Sequence, residues 1–432
     1  MRRFLFVIID GGGNVASQMA IARRLAARGH DVHVLGDAGV EPAALASGCR
    51  FEPFVNAPAL GGRDRASDKL RDWEPASPMA KARRVGERVL FGPAAAYARD
   101  VLPAVERLRP DAIAVDCMPL GAIAAAEKSG VPSAVLVHFP MHGPVRGVTP
   151  FGLGLLPARG VAGRLRDRVL LASMRRMMSF GCEPLNAARR ELGLPALRDP
   201  FEQLLRLDRS LFLTSREFDF APVGLPANAR YVGPQLDDPA GLDAWNDAIL
   251  TQSADPLVMV SLGSTYQQQE AVFARALEAV GTLPVRGLAL YGAIDPPAMA
   301  PPANVTVTRS APHAAVLPLA SAVVCHGGLG TVMKALSHGV PLVVVPLGRD
   351  QLDNAARVEA CGAGVRLAAG ASASQIAKAV RQALEEPRFR ERAQHMAAII
   401  ARDVREDRAV AEMETLASGA GERTTSRPQP AA

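Results

Sequence analysis

The chain predicts an α/β protein made of two Rossmann-like, doubly wound domains. Three observations lead there. Short continuous apolar runs alternate with helix-period segments, the pattern of parallel sheets covered on both faces. The 432 residues exceed what one hydrophobic core holds and suit two domains of ordinary size. Each half carries a glycine-rich turn between a strand and a helix, Gly11-Gly12-Gly13 in one and Gly327-Gly328-Leu329-Gly330 in the other.

Composition narrows the class. Hydrophobic residues make up 49% and charged residues 21%, which is globular and not disordered. The five cysteines, Cys49, Cys117, Cys182, Cys325 and Cys361, are scattered, with neither a disulfide framework nor zinc-site spacing, so a reducing, cytoplasmic setting is expected. The apolar run after Arg2-Arg3 ends at Asp10, too short for a secretory signal. No window reaches the length of a bilayer span. The net charge of +6 comes from dispersed arginines; it suits an anionic small molecule or peripheral contact with a membrane surface, and no nucleic-acid partner is expected. Nothing in the pattern fixes the oligomeric state.

In chain order, Phe4–Ile9 reads as a buried strand feeding Gly11-Gly12-Gly13-Asn14 and a helix to about Arg28, which Gly29 ends. A second strand spans Asp31–Leu35. Gly11-x-Gly13-x-x-Ala16 with Asp37 downstream fits a dinucleotide fingerprint, so an NAD-dependent oxidoreductase is one reading of this opening. Residues 54–90 are charged and rich in Gly and Pro, a long loop with one short helix that either shapes a cleft or merely connects. A helix over Tyr97–Leu108 precedes a strand ending at Asp116, a helix over Gly121–Ser129 and a strand Ser133–Val137 ending at His138. After a Gly/Pro-rich loop, Val161–Leu192 gives one or two helices bearing arginines and Met174, Met177 and Met178. These methionines are either core or the soft lining of a pocket for a lipophilic ligand.

A strand over Leu211–Thr214 follows, then Tyr231-Val232-Gly233-Pro234, and a polar linker over residues 236–255 separates a first domain, 1–235, from a second, 256–416. The second opens with a strand Leu257–Leu262, the turn Gly263-Ser264-Thr265, a helix Gln269–Val280 and strands at Gly287–Tyr291 and Val305–Thr308. Strands at Ala322–Cys325 and Leu342–Pro346 alternate with helices at about Thr331–His338 and Asp353–Cys361. Helices at Ser374–Glu385 and from Pro387 to about Leu416 close the fold, and residues 417–432 read as a disordered tail.

The most informative stretch is His326-Gly327-Gly328-Leu329-Gly330-Thr331. Three glycines let a ligand approach the backbone, and the helix that follows points its unpaired N–H groups and the positive end of its dipole at that ligand, as phosphate binding requires. His326 and the Thr331 hydroxyl add two further groups able to bond phosphate oxygens. Together with Gly339-Val340-Pro341 and Asp350-Gln351 at their intervals, this stretch resembles the donor signature of nucleotide-sugar glycosyltransferases of the GT-B fold, which implies two facing Rossmann-like domains with a cleft between them. It is closest to the bacterial, natural-product branch of the inverting UDP-glycosyltransferase family. The resemblance covers nearly the whole chain, strongly in the second domain and weakly over residues 50–210. It implies that His326, Gly328, Gly330 and Thr331 hold a diphosphate with Ser264 opposite. It also implies that Asp350 and Gln351 bond sugar hydroxyls, that the loop at His313 lies against the nucleobase, and that the last helix crosses back to the first domain. The expected co-substrate is a UDP- or dTDP-sugar and the expected acceptor a lipophilic small molecule, with no cofactor and no metal.

Two departures stand out. Relatives carry a histidine after the first strand as half of a general-base pair, whereas this chain has Asn14, an amide that takes no proton near neutrality. Asp116 occupies the partner's place and is the expected centre of the chemistry, with Asn14 orienting the acceptor. His138 or His142 as substitute base, or an acceptor acidic enough to need little help, are the other readings. Asp116 as a helix cap and His138 as an ordinary half-buried imidazole are the bland ones. Lys334 stands where many relatives have a ribose-bonding glutamate, and a lysine reaches phosphate but does not accept from ribose hydroxyls. With the base gone, a donor-binding homologue acting as partner or sensor is the non-enzymatic alternative.

Overall fold

The structure, a computed structural model, describes residues 1–141, 145, 147–222, 224–238, 255–296 and 300–419. The amino-terminal half runs β1 (Arg3–Ile8), α1 (Gly13–Ala27), β2 (Asp31–Gly36), α2 (Glu41–Ala46), β3 (Arg50–Pro53), α3 (Pro78–Val85), α4 (Ala94–Leu108), β4 (Ala112–Asp116) and α5 (Leu120–Ser129). It continues with β5 (Ser133–Val137), α6 (Gly160–Met178), α7 (Cys182–Glu191), β6 (Arg209–Phe212) and β7 (Ala229–Tyr231). The seven strands pair in parallel in the order β3-β2-β1-β4-β5-β6-β7.

The carboxyl-terminal half runs β8 (Leu257–Ser261), α8 (Glu270–Gly281), β9 (Arg286–Leu290), β10 (Val305–Thr308), α9 (His313–Val316), β11 (Ala320–Cys325) and α10 (Leu329–Ser337). β12 (Leu342–Val344), α11 (Gln351–Ala360), β13 (Gly364–Arg366), α12 (Ala373–Glu385), α13 (Pro387–Glu406) and α14 (Arg408–Ser418) complete it. Its six parallel strands lie in the order β10-β9-β8-β11-β12-β13. Both sheets are doubly wound and Rossmann-like, as the alternating pattern predicts.

Continuous apolar runs form these strands because both sheet faces are buried. In β1, Leu5 and Val7 enter one core with Phe91 and Tyr97, and Phe4, Phe6 and Ile8 enter the opposite one, the alternation a strand imposes. That second core also takes Ala409, Val410, Met413 and Leu416 from α14, so the last helix packs on the first sheet. The sequence reading of one helix from Pro387 to about Leu416 needs correction here. Asp407 adopts a left-handed conformation with φ 45° and divides α13 from α14. Its carboxylate accepts from Arg28 and pairs with Arg24 of α1, which turns the chain toward the first domain.

In each sheet the winding reverses between two adjacent strands, β1 and β4 in the first and β8 and β11 in the second. The helices diverge there, and ligands enter at the carboxyl ends of such strand pairs. Asn14 follows β1 and Asp116 ends β4 in the first pair; Ser264 and His326 follow the second. The linker residues 239–254, the tail 420–432 and His142 lie outside the described residues.

Candidate functional site

On the donor side, β11 delivers His326 into a turn whose Gly327 has φ 92°, and Gly328 caps α10. The imidazole is 7% exposed, and its Nδ1 has no hydrogen-bond partner. It is enclosed by two glycines. A Cβ added at Gly328 would stand 2.6 Å from Nε2, and one at Gly263, which has φ 104°, would stand 3.0 Å away. Burial pushes the His326 pKa down to about 4, helped by the Arg349 guanidinium and opposed by the Ser261 backbone. At neutral pH this ring is therefore an uncharged hydrogen-bonding group. A Cβ at Gly330 would meet nothing within 4 Å, so open space lies beside the first turn of α10. Thr331 is half-buried there, and Ser264 is exposed.

Further along, Asp350 is buried, and its carboxylate accepts from Asn354 Nδ2 at 2.7 Å. Burial raises the Asp350 pKa to about 6. Gln351 is turned inward: its Oε1 accepts from the Leu347 and Gly348 amides, and its Nε2 donates to Gln267 Oε1 at 2.8 Å. Lys334 is held by Asp238, Nζ to Oδ1 2.6 Å, and the same carboxylate accepts from Ala314 N at 2.9 Å. The half-buried His313 beside them has its pKa lowered by burial and by Lys334. Lys334 thus has a carboxylate partner, contributed by the linker side of the chain.

On the acceptor side, Asp116 is 0% exposed and its oxygens are occupied. Oδ2 accepts from Asn14 Nδ2 at 2.7 Å and from Gln18 Nε2, and Oδ1 accepts from Met118 N at 2.8 Å. Asn14 also donates to Ile9 O at 2.9 Å, so its amide nitrogen points inward, with both bonds made to the protein. The Asn14 and Gln18 amide oxygens are buried without donors. Gln18 was missed by the sequence reading; its signal is the four-residue spacing from Asn14, which puts both on the sheet-facing side of α1. His138 Nδ1 lies 3.9 Å from Asp116 Oδ2 and 3.6 Å from Cys117 Sγ, with the ring partly exposed. Burial lowers the His138 pKa, and Asp116 opposes that shift. Asp116, Cys117 and His138 are also the one group of metal-type ligands among the described residues, with ligand atoms within 4.8 Å of one another.

The two sides meet. A Cβ at Gly12, which has φ 91°, would stand 2.4 Å from Thr265 Cγ2 and 3.3 Å from Ser264 Oγ. Arg63 O accepts from Tyr266 N at 2.8 Å, and Asp72 takes a bidentate pair from Arg349 at 2.8 and 2.9 Å. This contact weighs against the oxidoreductase reading, because Thr265 packs against the first glycine turn at Gly12. Asp37, the expected ribose acid, is 6% exposed and accepts from Asp10 N at 2.8 Å. Surface grooves of about 700 Å³ at Arg216–Pro222 and about 630 Å³ at Gly61–Glu74 contain neither His326 nor Asp116.

Residues 291–416 match the family described as erythromycin biosynthesis protein CIII-like, C-terminal domain. The 4'-demethylrebeccamycin synthase of Lentzea aerocolonigenes is 33% identical over 406 residues, spanning 90% of this chain and 93% of that protein. The PGL/p-HBAD biosynthesis rhamnosyltransferase of Mycobacterium bovis (strain BCG / Pasteur 1173P2) is 34% identical over 243 residues, 54% of this chain and 52% of that one. Among solved structures, the glycotransferase of kitacinnamycin superposes with a TM-score of 0.74 at 22% identity, covering 96% and 98% of the two chains. The glycosyltransferase VinC in complex with dTDP does so with a TM-score of 0.66 at 18% identity, covering 96% and 100%. The chain belongs to the natural-product family of GT-B glycosyltransferases and is a glycosyltransferase.

Proposed function

We propose that this transferase moves a sugar, with inversion, from a UDP- or dTDP-sugar to a hydroxyl of a lipophilic small molecule such as a polyketide, an aromatic natural product or a glycolipid precursor. The observation that carries the donor half is the His326 imidazole enclosed by Gly263 and Gly328 beside the open first turn of α10. Breaking the bond from the anomeric carbon to the diphosphate oxygen leaves negative charge on the nucleoside diphosphate. The amides of α10, the His326 ring N–H and the hydroxyls of Thr331 and Ser264 are the groups that would receive it. Because these donors meet the leaving charge, the reading needs no metal at that end. The dTDP bound in the structural relative supports a thymidine diphosphate here.

For the acceptor half, the geometry favours His138 over Asp116 as the base. Asp116 is enclosed and its oxygens already accept from three groups, whereas His138 is partly exposed and faces that carboxylate. In this reading His138 takes the acceptor's hydroxyl proton, Asp116 steadies the imidazolium, and Asn14 with Gln18 fixes Asp116. The partnerless Asn14 oxygen offers the entering hydroxyl an acceptor.

The test compares His138→Ala and Asp116→Asn in transfer from UDP- and dTDP-sugars to an acceptor panel. His138→Ala should lower kcat by about a hundredfold or more without altering donor affinity. A base must be neutral to act, and burial depresses the His138 pKa, so the acid limb of the rate profile lies below the ordinary histidine value of about 6.5. Asp116 opposes that depression, so Asp116→Asn should move the limb to still lower pH. Wild-type rates for His138→Ala would make the assignment wrong. Absence of both transfer and donor hydrolysis with every acceptor would instead favour a binding protein.

A further inference from the structure

Helix α6 gives the core almost nothing: of its 19 residues only Met178, the last, is buried. Val161, Leu165 and Val169 are spaced four residues apart and therefore share one face. They are 75%, 60% and 59% exposed, and Leu153 and Leu156 just before the helix are 43% exposed each. Leu170, Leu171, Met174 and Met177 are only partly exposed and turn toward the protein, where Met177 packs on the core around Phe91. Single exposed apolar side chains are ordinary; a row of them along a helix marks a surface that something covers.

The charges say what. The helix carries Arg164, Arg166, Arg168, Arg175 and Arg176 against the single acid Asp167. At about 100° per residue, Arg164, Arg168 and Arg175 fall on one flank of the apolar row, Arg166 on the other, and Arg176 at its carboxyl end. Arg166 pairs with Asp167 and Arg175 with Asp199, but among the described residues no carboxylate lies within ion-pair distance of Arg164, Arg168 or Arg176. A second copy of the chain would set the same arginines against each other. A bilayer rich in anionic lipid offers an apolar layer for the row and phosphates for the guanidiniums at once.

We infer that α6 is a membrane-surface helix that seats the first domain on anionic lipid. The helix lies in the headgroup region with Val161, Leu165 and Val169 inserted and the arginines on lipid phosphates. The inference is independent of which sugar or acceptor is used.

Sedimentation of the full chain with vesicles tests it. Binding is expected to phosphatidylcholine mixed with phosphatidylglycerol, to weaken as salt rises, and to be absent with phosphatidylcholine alone. Leu165→Asp combined with Val169→Asp should abolish it. Arg164→Glu with Arg168→Glu and Arg176→Glu should weaken it about tenfold or more. All these positions are exposed, so thermal unfolding should match wild type; if the apolar pair misfolds, the arginine triple decides. Equal binding to neutral vesicles, no binding to anionic ones, or wild-type binding by the arginine triple would overturn the inference. So would a dimer in the absence of lipid that Leu165→Asp disperses, since the row would then be a protein interface.

Discussion

At the scale of single residues, the site depends on close approaches that only glycine allows. Gly328→Ala would place a methyl 2.6 Å from His326 Nε2, which must displace the ring. Donor KM should rise about tenfold or more with kcat for bound donor less affected, measured by initial rates. Asp350 gives a pH test of its proposed sugar contact. Its pKa is raised to about 6, so the folded state holds its proton longer than the unfolded chain. The stability this contributes is fully present below the unfolded carboxylate value and lost as pH rises through about 6. In the same window the group gains the charge with which it would accept from sugar hydroxyls. Donor affinity should therefore fall as pH drops through about 6, and Asp350→Asn should remove that dependence. The glycines, His326 and Asp350 were legible because their spacing is local in sequence. Gln18, Asp238 and the inward turn of Gln351 were not, because each is fixed by a partner brought from elsewhere: Asp116 is 98 positions from Gln18, Lys334 is 96 from Asp238, and Gln267 is 84 from Gln351.

At the scale of elements, apolar runs announced ten of the thirteen strands among the described residues, because strands buried on both faces have no polar alternation to obscure them. The three not announced, β3, β7 and β13, are short strands at sheet edges. The failure was at the end of the chain. Pro387 to Leu416 keeps a helical hydrophobic period throughout, and nothing local in that stretch signals a break at Asp407. Tertiary pairs with Arg24 and Arg28 hold that residue left-handed. Asp407→Ala keeps the strained conformation and loses the pairs, so it should cost about 1–2 kcal/mol. Asp407→Gly relieves the strain and should cost less. Chemical denaturation of the two variants orders them; an Asp407→Gly variant less stable than Asp407→Ala would contradict this account of the turn. Gly12 belongs to the same scale: alanine there would strike Thr265 across the contact, opening the meeting of the two turns.

At the scale of the whole molecule, the two sheets are joined by groups that no sequence pattern connects. Arg357 of α11 donates to Asp219 at 2.7 and 2.8 Å, with both side chains at most 2% exposed. Asp219 also accepts from Met141 N and from the Tyr231 hydroxyl. Asp353 accepts from the Gly152 and Gly154 amides. Removing one member of a buried pair strands the other's charge, so Arg357→Leu should cost about 3 kcal/mol or more and separate the unfolding of the two halves in calorimetry. The doubly wound architecture and the glycine turns at two strand ends were readable from the chain; the way the halves close on each other was not. The central claim is that a nucleoside diphosphate is received at the His326–Thr331 turn. Titration calorimetry with UDP and with dTDP tests it most directly. The account predicts heat of one-site binding for at least one of them, weakened about tenfold or more by His326→Ala and by Thr331→Ala. Absence of heat from both, or affinity unchanged in both variants, would contradict it.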